Sequence, residues 1–138
     1  MEKEIKAPEE VEDYLRKVKE LALHEELTQV NSAPWADGKV NKTRKYMAET
    51  GIDKKVILNV VRQLEVVNYS STKRDRNPRF PGEYVWEFGI TKNLIDQEED
   101  LYIKLKVRKI HDEYLLVMAF HPEQPYRPEE KLIFPYST

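Results

Sequence analysis

Apolar positions recur at helical spacing in the first half of the chain and at a period of two in the second. Val11, Leu15, Val18 and Ala22 lie three or four residues apart, which puts them on one helix face. Pro8 suits a first helical turn, and Glu9, Glu10, Glu12 and Asp13 favour the positive end of the helix dipole. A first helix is therefore predicted from about Pro8 to Leu27. Asn31, Ser32, Pro34, Asp37 and Gly38 read as a loop, with Trp35 plugging the core beside it. A second helix is expected over Thr43 to Glu49, ending at Gly51, a residue suited to a left-handed cap. Asp53 then caps a third helix, whose Val56, Ile57, Val60, Val61 and Leu64 form a wide apolar stripe.

The stretch from Ser70 to Gly82, SSTKRDRNPRFPG, has two prolines and four cations but no apolar periodicity, and reads as a basic loop. Beyond it Tyr84, Trp86, Phe88 and Ile90 alternate with Val85, Glu87 and Gly89, as in a strand with one buried face. An acidic loop, Asp96 to Asp100, leads to a second alternation, LYIKLKV, that continues to Lys109. Tyr114 to Phe120 is apolar throughout, as expected of a central strand covered at least in part on both faces. The tail from Pro122 to Pro135 carries four prolines and reads as a surface strap. Helices first and strands afterwards predict an α+β fold, N-terminal helices packed on one face of an antiparallel sheet. One domain is expected over residues 1–138: a helical half 1–69, the basic loop 70–82, the sheet 83–121 and the proline-rich strap 122–138.

Composition narrows the class. Hydrophobic residues make up 40% of the 138 and charged residues 35%, enough apolar surface for a core and too much charge for a membrane protein. No apolar run approaches a membrane span and no short hydrophobic segment follows a basic amino end, so a cytoplasmic location is expected. The lack of cysteine removes disulfides, zinc ribbons and thiol nucleophiles together. The histidines, His24, His111 and His121, are too scattered for a metal cluster, so neither metal nor cofactor is expected.

Net charge is −2, but unevenly spread. Lys and Arg number 5 against 9 Asp and Glu in residues 1–30, 12 against 7 in residues 31–92, and 6 against 9 afterwards. The middle therefore carries 12 − 7 = +5, which suits an RNA-binding face in a mildly acidic protein.

A hairpin centred on His111 and Asp112 pairs residues whose numbers sum to 223. Leu101, Ile103, Leu105 and Val107 then share the core face with Leu116, Met118 and Phe120. Tyr102, Lys104, Lys106 and Arg108 fall on the opposite face with Leu115, Val117, Ala119 and His121, and Tyr102 lies across from His121. If the preceding strand borders this hairpin, Glu87, Tyr102, Lys104 and His121 converge on one exposed patch.

That set suits phosphodiester cleavage by 2′-hydroxyl attack, which needs a base, cationic stabilisation of the phosphorane and an acid for the leaving oxygen. Glu87 or Tyr102 can act as the base, Lys104 can stabilise charge, and His121 can protonate the leaving group. Lys73, Arg74, Arg76 and Arg79, with Lys106 and Arg108, would hold flanking phosphates. Each group also has a plainer explanation. A Lys and Arg alternation on an edge strand discourages aggregation, Tyr102 can be a cross-strand packing residue, and His121 before Pro122 can close a strand.

The order of these motifs resembles the MqsR family of toxins, messenger-RNA interferases of the RelE superfamily. The resemblance runs from roughly Lys45 to His121. Gly51-Ile52 opens the third helix, Asn68-Tyr69-Ser70-Ser71 closes it, and Trp86-Glu87, Leu101-Tyr102-Ile103-Lys104 and Ala119-Phe120-His121 mark three strands. It implies a metal-independent endoribonuclease that cuts mRNA and is neutralised by a cognate antitoxin, with its active site on the exposed sheet face. The family's tyrosine falls on Tyr102, its glutamine on Glu87, its carboxy-terminal lysine on His121 and a lysine after the third helix on Ser70. Glu87 and His121 keep acid-base capacity, whereas Ser70 replaces a cation only if Lys73 or Arg74 reaches across.

Two other readings remain open. Thr43 to Leu64 can form a helix-turn-helix followed by a wing, with Lys54, Lys55, Asn59, Arg62 and Gln63 facing DNA. The chain can also be a non-catalytic RNA or protein interaction domain.

Overall fold

A computed structural model describes residues 3–33, 40–75, 79, 82–109, 112–124 and 131–137. They form β1 (Lys3–Glu4), α1 (Pro8–Ala22), β2 (Thr28–Val30), α2 (Lys42–Thr50), α3 (Lys54–Val61), β3 (Tyr69–Arg74), β4 (Tyr84–Asn93), β5 (Glu98–Lys109) and β6 (Glu113–Pro122). Sheet order is β1-β3-β4-β5-β6-β2. All neighbours are antiparallel except β2, which runs parallel to β6 and was not expected from the apolar pattern.

The helices are set by their caps. Asn41 accepts the N–H groups of Thr43 and Arg44 at 3.0 and 3.2 Å, and its amide donates to the carbonyls of Asn31 and Ala33. Gly51 ends α2 at φ +77°, where a side chain would be strained. Asp53 caps α3 by accepting the Val56 N–H at 3.0 Å. α1 stops at Ala22 rather than Leu27, because Leu23 to Glu26 all face outward and a 3-10 turn over Glu25–Leu27 redirects the chain into β2. One apolar core joins Val11, Leu15 and Val18 of α1, Ile57 and Val61 of α3, and Phe88, Ile103, Leu105 and Phe120 of the sheet. Tyr14 stacks on Trp86 across it, ring centres 3.9 Å apart. Trp35 lies outside the described residues.

Two features of the sheet correct the sequence reading. The expected basic loop 70–82 begins as a strand: β3 runs to Arg74 between β1 and β4, with Ser70, Ser71 and Thr72 fully buried. Such residues lack apolar periodicity, yet their hydroxyls are hydrogen-bonded to Ile133, Glu87 and Tyr69, which makes burial tolerable.

The second correction concerns register. Leu101 to Lys104 pair with Pro122 to Ala119 at the derived sum of 223, and Tyr102 is opposite His121. From Leu105 onward the sum is 222, because Met118 is bulged out of β6. Leu115 and Val117 therefore enter the core, in place of Leu116 and Met118. Lys109 pairs with Glu113, so the connection is odd rather than even, and Ile110 and His111 within it lie outside the described residues. The bulge cancels the odd turn and restores the Tyr102–His121 pairing. β5 lies between β4 and β6, so its Lys and Arg alternation is not on an edge strand. No described helix is long and apolar enough to cross a membrane.

Candidate active site

The sheet face away from the helices carries the polar residues of β3, β4 and β5. β4 borders β5 with Glu87 opposite Lys104 and Gly89 opposite Tyr102. Glu87 is 0% exposed, yet its carboxylate is fully engaged. The Ser71 hydroxyl donates to Oε1 at 3.0 Å, and Lys3 Nζ lies 3.1 Å from the same atom. The Tyr102 hydroxyl donates to Oε2, and Lys73 Nζ is 3.6 Å from it. Burial pushes the carboxyl pKa up, but the Tyr102 hydrogen bond and the charges of Lys73 and Lys3 outweigh it and hold Glu87 below the usual carboxylate range.

Tyr102 and His121 are neighbours, with ring centres 5.3 Å apart and planes inclined by 35°. His121 Nδ1 is 2.9 Å from the Pro122 carbonyl. A carbonyl only accepts, so Nδ1 carries a hydrogen and proton exchange falls to Nε2. Lys104 is half-buried beside Glu87 in the register.

Glu87, Tyr102 and His121 thus converge as the register implied. The patch is not exposed, however: Tyr102 is 3% and His121 5% exposed. Part of the cover is the C-terminal strap, whose Leu132 forms a small apolar cluster with Tyr102 and Ala119. Ser70 does not face Glu87. It is the extra residue of a bulge in β3, and its hydroxyl accepts the Ile133 N–H at 3.0 Å. Lys73 instead brings its ammonium to within 3.6 Å of Glu87. Lys3 also reaches Glu87, from β1, and was missed, because a two-residue strand some seventy positions from its partner leaves no periodic signal.

The remaining cations divide. Lys106 is 1% exposed and pairs with Asp75 and, at 3.1 Å, with Glu83. Arg108 joins Glu83 at 3.2 Å. These two, expected to hold phosphates, instead pair with acids that stand just beyond the end of β3 and just before β4. Arg74 and Arg79 are exposed, and Arg76 lies outside the described residues. Lys54, a helix-turn-helix candidate, donates to the carbonyls of Glu25 and Thr28 at 3.2 and 2.8 Å. Among the described residues no three His, Asp or Glu side chains are grouped to hold a metal ion.

The chain matches no known protein family, no curated protein and no solved structure.

Proposed function

We propose that this chain is an endoribonuclease that cuts single-stranded RNA by 2′-hydroxyl attack on the polar face of its sheet. The observation that carries it is the meeting of Tyr102 with both Glu87 and His121 on one face. In the proposed step the Tyr102 hydroxyl takes the 2′-hydroxyl proton as it passes its own to Glu87. The freed oxygen attacks phosphorus and His121 protonates the leaving 5′-oxygen, leaving a 2′,3′-cyclic phosphate. Lys73, Lys3 and Lys104 balance charge on the phosphorane.

The cations also couple binding to basicity. Lys73 and Lys3 depress Glu87 in the free protein. Drawn toward an RNA phosphate they would hold it down less, and Glu87 becomes a better proton acceptor when substrate is present.

The likeness to MqsR toxins supports messenger RNA as substrate, a cognate antitoxin as partner, a RelE-like arrangement of the fold and a cytoplasmic site of action. The test is a comparison of single-stranded RNA, the same strand with 2′-deoxyribose throughout, and duplex DNA. Cleavage confined to the RNA supports the reading. Tight duplex DNA binding without cleavage would replace it with the winged-helix one, which the use of Lys54 as an internal tie disfavours.

A further inference from the structure

Gly89 lies directly opposite Tyr102 on the floor of the site. A Cβ there would sit 2.6 Å from Leu132 Cδ1 and 2.7 Å from Phe134 Cζ, so the strap packs into the space that the missing side chain leaves. Two backbone groups pin it: the Ile133 N–H donates to Ser70, and the Leu132 N–H donates to Glu123 Oε1 at 3.2 Å. Further along, the Tyr136 hydroxyl donates to the Lys6 carbonyl at 2.5 Å and its ring stacks on Tyr69. The cover is shallow nonetheless, since Ile133 and Phe134 remain 52% and 40% exposed. Beside it lies a cleft of about 280 Å³ that Asn68, Thr91, Asp100 and Glu123 share with the strap.

We propose that the floor at Gly89 is a nucleotide subsite of the RNA-binding face, and that Leu132 to Phe134 occupy it in place of a substrate nucleotide. This rests on the ribonuclease reading above. Phe134, with Cζ and Cε1 2.7 and 3.0 Å from where a Gly89 Cβ would stand, fills a space wide enough for a flat ring, and a nucleobase of any sequence offers such a ring. The neighbouring amide, hydroxyl and carboxylate groups of the cleft offer partners to base edges. The Ser70 hydroxyl, which takes a strap N–H here, is left to accept from the nucleotide once the strap leaves. Because the strap is tethered, its local concentration is high, and RNA must compete with it. Apparent affinity then falls by the fraction of molecules that are open.

The experiment uses the full chain, Gly89→Val, and the double variant Leu132→Ala/Phe134→Ala. Gly89 has no positive φ, so valine fits the strand backbone, and its conflict is with whatever lies on the floor, strap or nucleotide. The double variant removes the anchors instead. Binding of a single-stranded oligonucleotide with 2′-O-methyl riboses, which cannot be cut, is followed by fluorescence anisotropy, and hydrogen exchange at the Ile133 amide reports strap release. The expected result is faster Ile133 exchange in both variants, with binding tightened about tenfold or more in the double variant only, because the valine of Gly89→Val fills the subsite as it displaces the strap. Faster exchange in the double variant with affinity and cleavage equal to the parent chain overturns the proposal while leaving the ribonuclease reading standing. Faster exchange with no RNA binding in any form overturns both. Unchanged exchange in both variants means that these contacts do not hold the strap, which also overturns the proposal.

Discussion

Replacing Lys106 by Ala separates a structural cation from an RNA contact. Lys106 is 1% exposed between Asp75 and Glu83, whose side chains are 15% and 20% exposed. At 3.1 Å and an effective dielectric near 20, its attraction to Glu83 is about 5 kcal/mol, opposed by several kcal/mol of desolvation per ion. The net worth of the pair is small, but truncation leaves two acids without their cation, a loss of about 3–5 kcal/mol in buried settings. The lower end applies, because both acids can regain water and Glu83 keeps Arg108 at 3.2 Å. A loss of about 3 kcal/mol corresponds to roughly 10 °C in Tm for a chain of this size. Thermal unfolding measures this, and RNA binding across a salt series measures the alternative. The salt slope should not change. A Tm within about 2 °C of the parent, together with a slope reduced by about 0.7, would make Lys106 a phosphate contact and refute the reasoning.

The Glu87 carboxyl is depressed in the native state, so the unfolded chain takes up its proton first as pH falls. Its stabilisation is then complete above about pH 4.5 and declines as pH drops through the native value, and Glu87→Gln should flatten this acid limb in urea unfolding at pH 3 to 7. His121→Ala should slow cleavage by roughly 10²- to 10⁴-fold with little change in RNA binding; a parallel loss of binding would make His121 a packing residue. Gly51→Ala places a side chain at φ +77° and should cost about 1 kcal/mol, read as a lower urea midpoint with an unchanged slope.

What was legible in the sequence was local. The caps at Gly51 and Asp53, the stripe of α3 and the alternation of β4 and β5 are set by neighbours a few residues away, and each appears in the fold. The Tyr102–His121 pairing was also legible, though through two deviations that cancel: an odd turn and the bulge at Met118. Neither leaves a mark on hydropathy, so the faces of Leu115 to Met118 came out reversed. β1, β2 and the buried hydroxyls of β3 depend on partners distant in sequence. For the same reason the sequence suggested exposure where the strap gives burial: Leu132 and Phe134 are legible as apolar residues, but the complementarity to Gly89 exists only after folding.

The central claim is that Tyr102, Glu87 and His121 cut RNA by 2′-hydroxyl attack, and end-group analysis of the products tests it most directly. Single-stranded RNA incubated with the full chain and with Leu132→Ala/Phe134→Ala, in EDTA, should yield 2′,3′-cyclic or 3′-phosphate ends, more rapidly with the variant. A single 2′-deoxyribose at the cut should block it. Products with 5′-phosphate ends, or intact RNA with both proteins, would contradict the account.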